Sequence, residues 1–94
     1  MADKPKITVT RRGDKHICTP THTHVEPGDT VTWVGDDPFL VFFPHETPFA
    51  DGRGPFINGQ RVTVKDDVEL GTYTLQILNN GVFLRETEGD VQHP

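Results

Sequence analysis

The stretch from residue 25 to residue 34, VEPGDTVTWV, constrains the fold more than any other part of the chain. Pro27 presets φ for the first central position of a β-turn, and Gly28 supplies the positive φ that a type II turn needs at the second. Every residue after the turn is β-branched or aromatic, with Val31 and Trp33 on one face. The stretch therefore predicts a tight turn that leads into a central strand.

Further strands are predicted where apolar and polar residues alternate, since successive side chains of a strand point to opposite faces. These strands cover residues 6–11, 60–64 and 72–79. The segment from His16 to Val25 is also extended in character, but Pro20 interrupts it, which favours an edge position or a bulge. An edge strand at its end offers a route to self-association.

The C-terminal part of the chain contains the strongest hairpin signal. Asn80-Gly81 tolerates the two positive φ angles of a type I′ turn, so it predicts pairing of residues 72–79 with residues 82–87. The remaining residues, 88–94, are mostly polar. We expect them to form a loose tail outside a core that spans residues 6–87.

The middle of the chain combines an apolar run with a long loop. Residues 39–43, FLVFF, predict a strand that is buried on both faces, or buried on one face and covered by a loop on the other. Residues 44–59 are rich in proline and glycine and predict no regular element. Two interpretations of this loop stay open: Phe49 and Phe56 close one end of a core, or they form an exposed surface for a partner.

The composition argues against several classes of function. A chain of 94 residues with 33% hydrophobic content makes one small soluble domain, and no apolar run reaches membrane-spanning length. Its formal net charge of −5 repels phosphate, so we expect no nucleic acid partner. The sequence contains no serine, and Cys18, its single cysteine, has no separately placed base in view. These observations predict a protein that is not an enzyme.

The N-terminal residues bear on the compartment. Residues 1–5, MADKP, contain no apolar segment of the kind that a signal peptide requires. As it stands, the sequence predicts a cytoplasmic protein. If a signal has been removed and replaced by a new methionine, the periplasm or the extracellular space is the alternative.

Two motifs together carry a resemblance to a known family. The first is VEPGDTVTW followed by the acidic pair Asp36-Asp37, and the second is GTYTL at residues 71–75. These resemble the turn into a central strand and the Gly-x-Tyr strand entry of the cupredoxins, the small β-sandwiches that include the blue copper proteins. The resemblance extends over most of residues 6–87. It implies an all-β fold, a single Greek-key β-sandwich of about seven strands.

The same resemblance implies where copper ligands would lie, and this chain lacks them. Copper-binding members place a histidine near Phe39 or Leu40, a cysteine near Ile77 and a second histidine near Asn80. Soft thiolate and imidazole ligands, with a weak axial methionine, define that kind of site. The only methionine here is Met1. We therefore expect a scaffold without a type 1 copper centre.

The histidines form a second candidate metal site, different from the type 1 copper site. His22 and His24 are two residues apart on an extended segment, so both imidazoles point to the same side. His45 opens the long loop and completes a possible set, with Glu46 or Glu26 as an oxygen ligand. Such ligands suit zinc, copper(II) or nickel(II). The alternative is that these histidines are ordinary surface residues.

Two functions from different classes follow. The first is a non-catalytic cupredoxin-like module that needs no cofactor and acts through an unidentified protein partner. Its predicted contact residues lie in the long loop, and the aromatic ones would act as anchors. They are Pro44, Phe49, Arg53, Phe56 and Ile57. The second is a protein that binds copper, zinc or nickel through His22, His24 and His45.

Overall fold

The fold is seen in a computed structural model, which describes residues 6–13, 15–36, 38–79, 82–83 and 86–94. The described residues form ten strand segments and no helix. The strands are β1 Lys6–Arg12, β2 Lys15–His24, β3 Thr30–Gly35, β4 Phe39–Phe42, β5 Phe56–Ile57, β6 Arg61–Thr63, β7 Gly71–Thr74, β8 Gln76–Asn79, β9 Val82–Phe83 and β10 Glu86–His93. The prediction of an all-β fold is confirmed. Within the described ranges, no helix is long and apolar enough to cross a membrane.

The first sheet has six strands in the order β6-β3-β1-β2-β10-β7. β1 is antiparallel to β2 and parallel to β3, with Ile7 opposite Trp33. β10 lies between β2, to which it is parallel, and β7, to which it is antiparallel. Both sides of β10 are therefore hydrogen bonded within the sheet.

The second sheet has four strands in the order β5-β4-β8-β9. β4 is antiparallel to both β5 and β8. A single residue, Leu75, separates β7 in the first sheet from β8 in the second. One predicted strand thus becomes two segments in different sheets, which is one reason why ten segments replace the seven or so expected.

The core between the sheets is centred on aromatic rings. Trp33 is completely buried on β3, and Phe43, Phe49 and Phe56 pack around it with ring centroids 6.2–6.4 Å from its own. Most of the contacts among the rings have edge-to-face geometry, which suits the charge distribution of aromatic faces and edges. The long loop supplies two of these rings, so its main packing role is to close the core.

The predicted turn before β3 is present. Gly28 has φ of +83°, and the amide of Asp29 donates to the carbonyl of Glu26 at 3.1 Å. The carboxylate of Asp29 accepts from the amide of Glu26 at 2.9 Å, which closes the turn from its other side. Val31 and Trp33 are then buried on one face of β3, as their alternation predicts.

Pro20 lies at an irregularity in the pairing of β2. The register between β2 and β10 passes from Ile17 opposite Glu88 to His22 opposite Asp90, so β2 holds extra residues there. Pro20 therefore lies within an irregular part of β2, in keeping with the prediction of an edge position or a bulge. β2 pairs on both sides through residues 15–17, and residues 22–24 pair with β10.

Two predictions about loosely structured segments are wrong. Residues 88–94 are not a loose tail, because residues 86–93 form β10, and Val91 is fully buried in the core. The long loop also contains a regular element, the two-residue strand β5. In both cases pairing with a strand distant in sequence supplies an order that local composition does not reveal. The predicted Asn80-Gly81 turn lies outside the described residues, although Leu78 and Asn79 pair with Phe83 and Val82 as a hairpin requires.

Candidate functional site: the outer face of the second sheet

The outer face of the second sheet carries a row of aliphatic side chains across three strands. On β4, Phe39 and Val41 point into the core, so Leu40 points outwards. Leu40 pairs with Ile57 of β5 on one side and with Leu78 of β8 on the other. Leu40 and Leu78 are half-buried, and Ile57 is 56% exposed. We call Ile57, Leu40 and Leu78 the aliphatic row.

Two shallow depressions share this face, and Leu40 and Leu78 line both of them. The first has a volume of about 560 Å³ and extends towards the start of β4, where Asp36 and Pro38 lie. The second has a volume of about 610 Å³ and extends past the end of β4 towards Pro44 and Arg53. The depressions and the aliphatic row together make an apolar surface, which we call the outer face.

Polar groups at the two ends of the outer face are held in place by backbone contacts. At the first end, the side chain of Asn58 accepts from the amide of Gly35 at 3.2 Å and donates to its carbonyl at 2.7 Å. This double contact fixes β5 beside the end of β3. At the second end, the guanidinium of Arg53 donates to the carbonyl of Pro44 at 3.4 Å.

The predicted contact residues of the long loop separate into two groups. Pro44 and Arg53 line the second depression, and Ile57 is the most exposed member of the aliphatic row. Phe49 and Phe56 are 0% and 1% exposed, so the prediction that their rings anchor a partner is corrected. They pack against Trp33 instead, as the alternative interpretation of the loop expects.

Leu40, Phe42 and Leu78 are partly exposed residues that the sequence pattern does not reveal as such. Residues 39–43 form an unbroken apolar run, and an apolar run contains no signal that tells an inward residue from an outward one. The pairing of Leu40 with Leu78 shows that these two share a face. The register of β4 against β8 therefore holds the information that the local pattern lacks.

The three histidines that were predicted as metal ligands lie at two separate places. On β2 and β10, Nδ1 of His22 lies 3.0 Å from both carboxylate oxygens of Asp90, and His24 is exposed two residues further along. His45 instead lines a polar cleft of about 360 Å³ together with Glu46 and Tyr73. Within the described part of the chain, no three His, Cys, Asp or Glu side chains form a group that could hold a metal. The structure therefore does not assemble the predicted set of His22, His24 and His45.

Of the positions where the cupredoxin resemblance implies copper ligands, Phe39 and Ile77 are apolar and buried, whereas Leu40 is half-buried and points outwards. Phe39 is 4% exposed and Ile77 is fully buried. Asn80 lies outside the described residues. Phe39 and Ile77 therefore contribute to the hydrophobic core.

Cys18 points into the core from β2. Burial, with a smaller contribution from the negative charge of Asp90, raises the pKa of its thiol to about 12. At neutral pH the thiolate, the reactive form, is therefore suppressed.

Comparison with models of known protein families and with curated protein sequences gave no match.

Proposed function

We propose that this chain is a non-catalytic cupredoxin-like binding module, without a type 1 copper site, that acts through protein–protein contact. The observation that carries the proposal is the apolar outer face of the second sheet. A small domain normally turns one face of an antiparallel sheet towards the core and leaves the other face polar. The aliphatic row departs from that pattern.

The path of the chain supports the cupredoxin-like, Greek-key part of the proposal. β3 follows β2 in sequence but lies on the far side of β1, and it is parallel to β1. The chain then crosses from one sheet to the other between β7 and β8. Connections that pass over a neighbouring strand in this way are typical of Greek-key sandwiches.

The physical chemistry of the outer face supports protein contact. Removing apolar surface from water contributes about 25 cal/mol per Å². Leu40, Leu78 and Ile57 are partly exposed and adjacent, so one partner can cover all three together. Pro38 and Pro55 extend the apolar surface into the two depressions. Contiguous apolar surface with polar residues at its rim is characteristic of interaction sites.

The non-catalytic part of the proposal rests on the lack of a serine nucleophile and of an activated cysteine. The sequence contains no serine, and the Cys18 thiol is buried with a raised pKa. An activated cysteine would need the opposite shift and access to solvent.

Site-specific photo-crosslinking tests the proposal. A crosslinking side chain placed at position 57 should give a discrete protein adduct in native cells, while one placed at Thr10, exposed on β1, should not. A second substitution, Leu78→Glu, should remove the adduct without lowering the melting temperature greatly, because Leu78 is only half-buried. Equal adducts from positions 57 and 10, or none from position 57, would contradict the proposal.

Metal binding by His22 and His24 is the second candidate, and the contact between His22 and Asp90 favours it. A carboxylate bound to one ring nitrogen fixes the tautomer and orientation of a metal-binding histidine. With Nδ1 of His22 at 3.0 Å from Asp90, Nε2 is left to bind a metal beside the exposed His24. Imidazole ligands suit copper(II), zinc and nickel(II).

Calorimetric titration with these metals tests the second candidate. Replacing both His22 and His24 by Ala should abolish binding, and Asp90→Asn should weaken it about 10- to 100-fold. His45→Ala should leave the affinity unchanged, because His45 lies in a separate cleft. Undiminished binding by the double variant would eliminate this pair.

A further inference from the structure

We infer that the outer face binds a second copy of this chain, related to the first by a two-fold axis. The inference rests on the proposed function, because it names the partner of the same face. It is carried by the positions of two charged residues beyond the two ends of β4. Asp36 lies at one end of the outer face and Arg53 at the other, with the aliphatic row between them.

Charge is sparse among the described residues of this face, although charged residues make up 24% of the chain. Among the described residues that line the two depressions, Asp36 and Arg53 are the only charged ones. The described lining of the two depressions therefore carries one negative and one positive charge, whereas the whole chain carries a formal net charge of −5. A partner that matches the face must itself have an apolar centre, a cation at one end and an anion at the other. A second copy of the outer face has this arrangement.

Only one orientation of two such faces is favourable. A two-fold axis that lies in the interface at right angles to β4 turns the second copy end for end. Asp36 of each copy then faces Arg53 of the other, and one symmetry operation creates two identical ion pairs. An axis along β4 would instead bring Asp36 against Asp36 and Arg53 against Arg53. Charge therefore selects the antiparallel arrangement.

The aliphatic row fits the same arrangement. Ile57, Leu40 and Leu78 run across the strands, which is the direction of the proposed axis. Residues that lie near a two-fold axis meet their own counterparts, so each residue of the row packs near the same residue of the second copy. Sheets packed face to face lie about 10 Å apart, a distance that side chains of this size fill from both sides.

The area of the face limits the strength of the dimer. From Pro38 to Pro44 the chain extends roughly 20 Å at about 3.3 Å per residue, and three strands span roughly 15 Å. This footprint is well below the ~800 Å² per partner that standard interfaces bury. We therefore expect a weak, reversible dimer rather than an obligate one.

Sedimentation velocity with reversed charges tests the inference on the full chain. The wild type should pass from monomer to dimer between about 10 μM and 1 mM at constant ionic strength. Arg53→Asp and Asp36→Arg should each weaken the dimer at least tenfold, because each creates two like-charge contacts. The double variant should recover most of the wild-type affinity, since it restores both ion pairs with their signs exchanged.

A matched control separates this pairing from the effect of net charge. Arg61→Asp changes the net charge by the same amount as Arg53→Asp, but Arg61 is exposed on β6 of the first sheet, so the dimer should persist. A wild type that stays monomeric at the highest concentration would overturn the inference. A dimer that is insensitive to both single reversals would overturn it as well.

The outcomes for the dimer and for the proposed function are distinguishable. The wild type could be monomeric while position 57 still crosslinks to a different protein and Leu78→Glu removes that adduct. This result would support the binding module and contradict the self-association. If position 57 gives no adduct and the protein is monomeric, both fail. An adduct of twice the chain mass, lost in Arg53→Asp and recovered in the double variant, supports both.

Discussion

A Cβ atom on Gly89 would lie 2.5 Å from the Cβ of Cys18 and 2.6 Å from its Sγ. Real Cβ atoms essentially never approach other heavy atoms so closely. Gly89 lies within the register shift of β10, opposite the bulged part of β2. The absence of a side chain at position 89 is therefore what lets these two strands pair while Cys18 remains in the core.

Gly89→Ala should lower the free energy of unfolding by about 1–3 kcal/mol, the usual cost of forcing extra volume into a packed core. Urea unfolding followed by the fluorescence of Trp33 measures this. The double variant Cys18→Gly with Gly89→Ala should lose less stability than the sum of the two single changes, because the glycine at position 18 removes both clashing atoms. Additive losses would show that the two positions do not share this space.

The thiol of Cys18 should be almost inert in the folded protein. With its pKa raised to about 12 and its side chain buried, Cys18 presents almost no reactive thiolate to solvent at pH 8. A chromogenic disulfide reagent should therefore react only as fast as the chain unfolds. In urea the same reagent should titrate one thiol per chain within seconds to minutes. Fast reaction of the native protein would contradict the burial of Cys18.

Phe49 and Ile57 come from the same loop but should respond differently to truncation. Phe49 is fully buried against Trp33, so Phe49→Ala should cost about 3–5 kcal/mol of unfolding free energy. Ile57 is 56% exposed, and Ile57→Ala should cost less than about 1 kcal/mol. Urea unfolding of both variants makes the comparison. Similar costs would mean that the loop does not divide into core and surface residues as described.

The features that sequence analysis predicted correctly depend on local chemistry. The turn at Pro27-Gly28 and the strand after it were predictable because turn geometry and β-branching act within a few residues. The buried face of β3 followed from alternation at Val31 and Trp33. Physical constraints that act over short distances along the chain are readable in one sequence.

The features that were missed depend on pairing between distant segments. Residues 86–93 are largely polar, yet they form a strand because β2 and β7 pair with both of its edges. The outward direction of Leu40 depends on its register with Leu78, 38 positions later in the chain. For the same reason the common side of His22 and His24 was predictable, but the contact of His22 with Asp90 was not.

His16 should make the stability of the protein depend on pH. Its side chain is fully buried, and within the described part of the chain neither ring nitrogen has a hydrogen-bond partner. Burial, with a smaller contribution from the charge of Arg11, lowers the pKa of the imidazole below its usual value of 6.5. The folded protein therefore holds His16 neutral over a pH range in which the unfolded chain protonates it.

The sign of the effect follows from proton linkage. Well above pH 6.5 His16 is neutral in both states and contributes no pH dependence. As the pH falls through about 6.5 towards the lower folded pKa, protonation stabilises the unfolded chain. The free energy of unfolding should therefore decrease by up to ~1.4 kcal/mol per pH unit over that interval. Urea unfolding at intervals between about pH 5 and 8, above the range where most carboxylates titrate, measures this. His16→Leu should flatten that decrease, while His24→Leu, at an exposed position on the same strand, should retain it. If His16→Leu retains the wild-type slope, another group is responsible for the loss of stability.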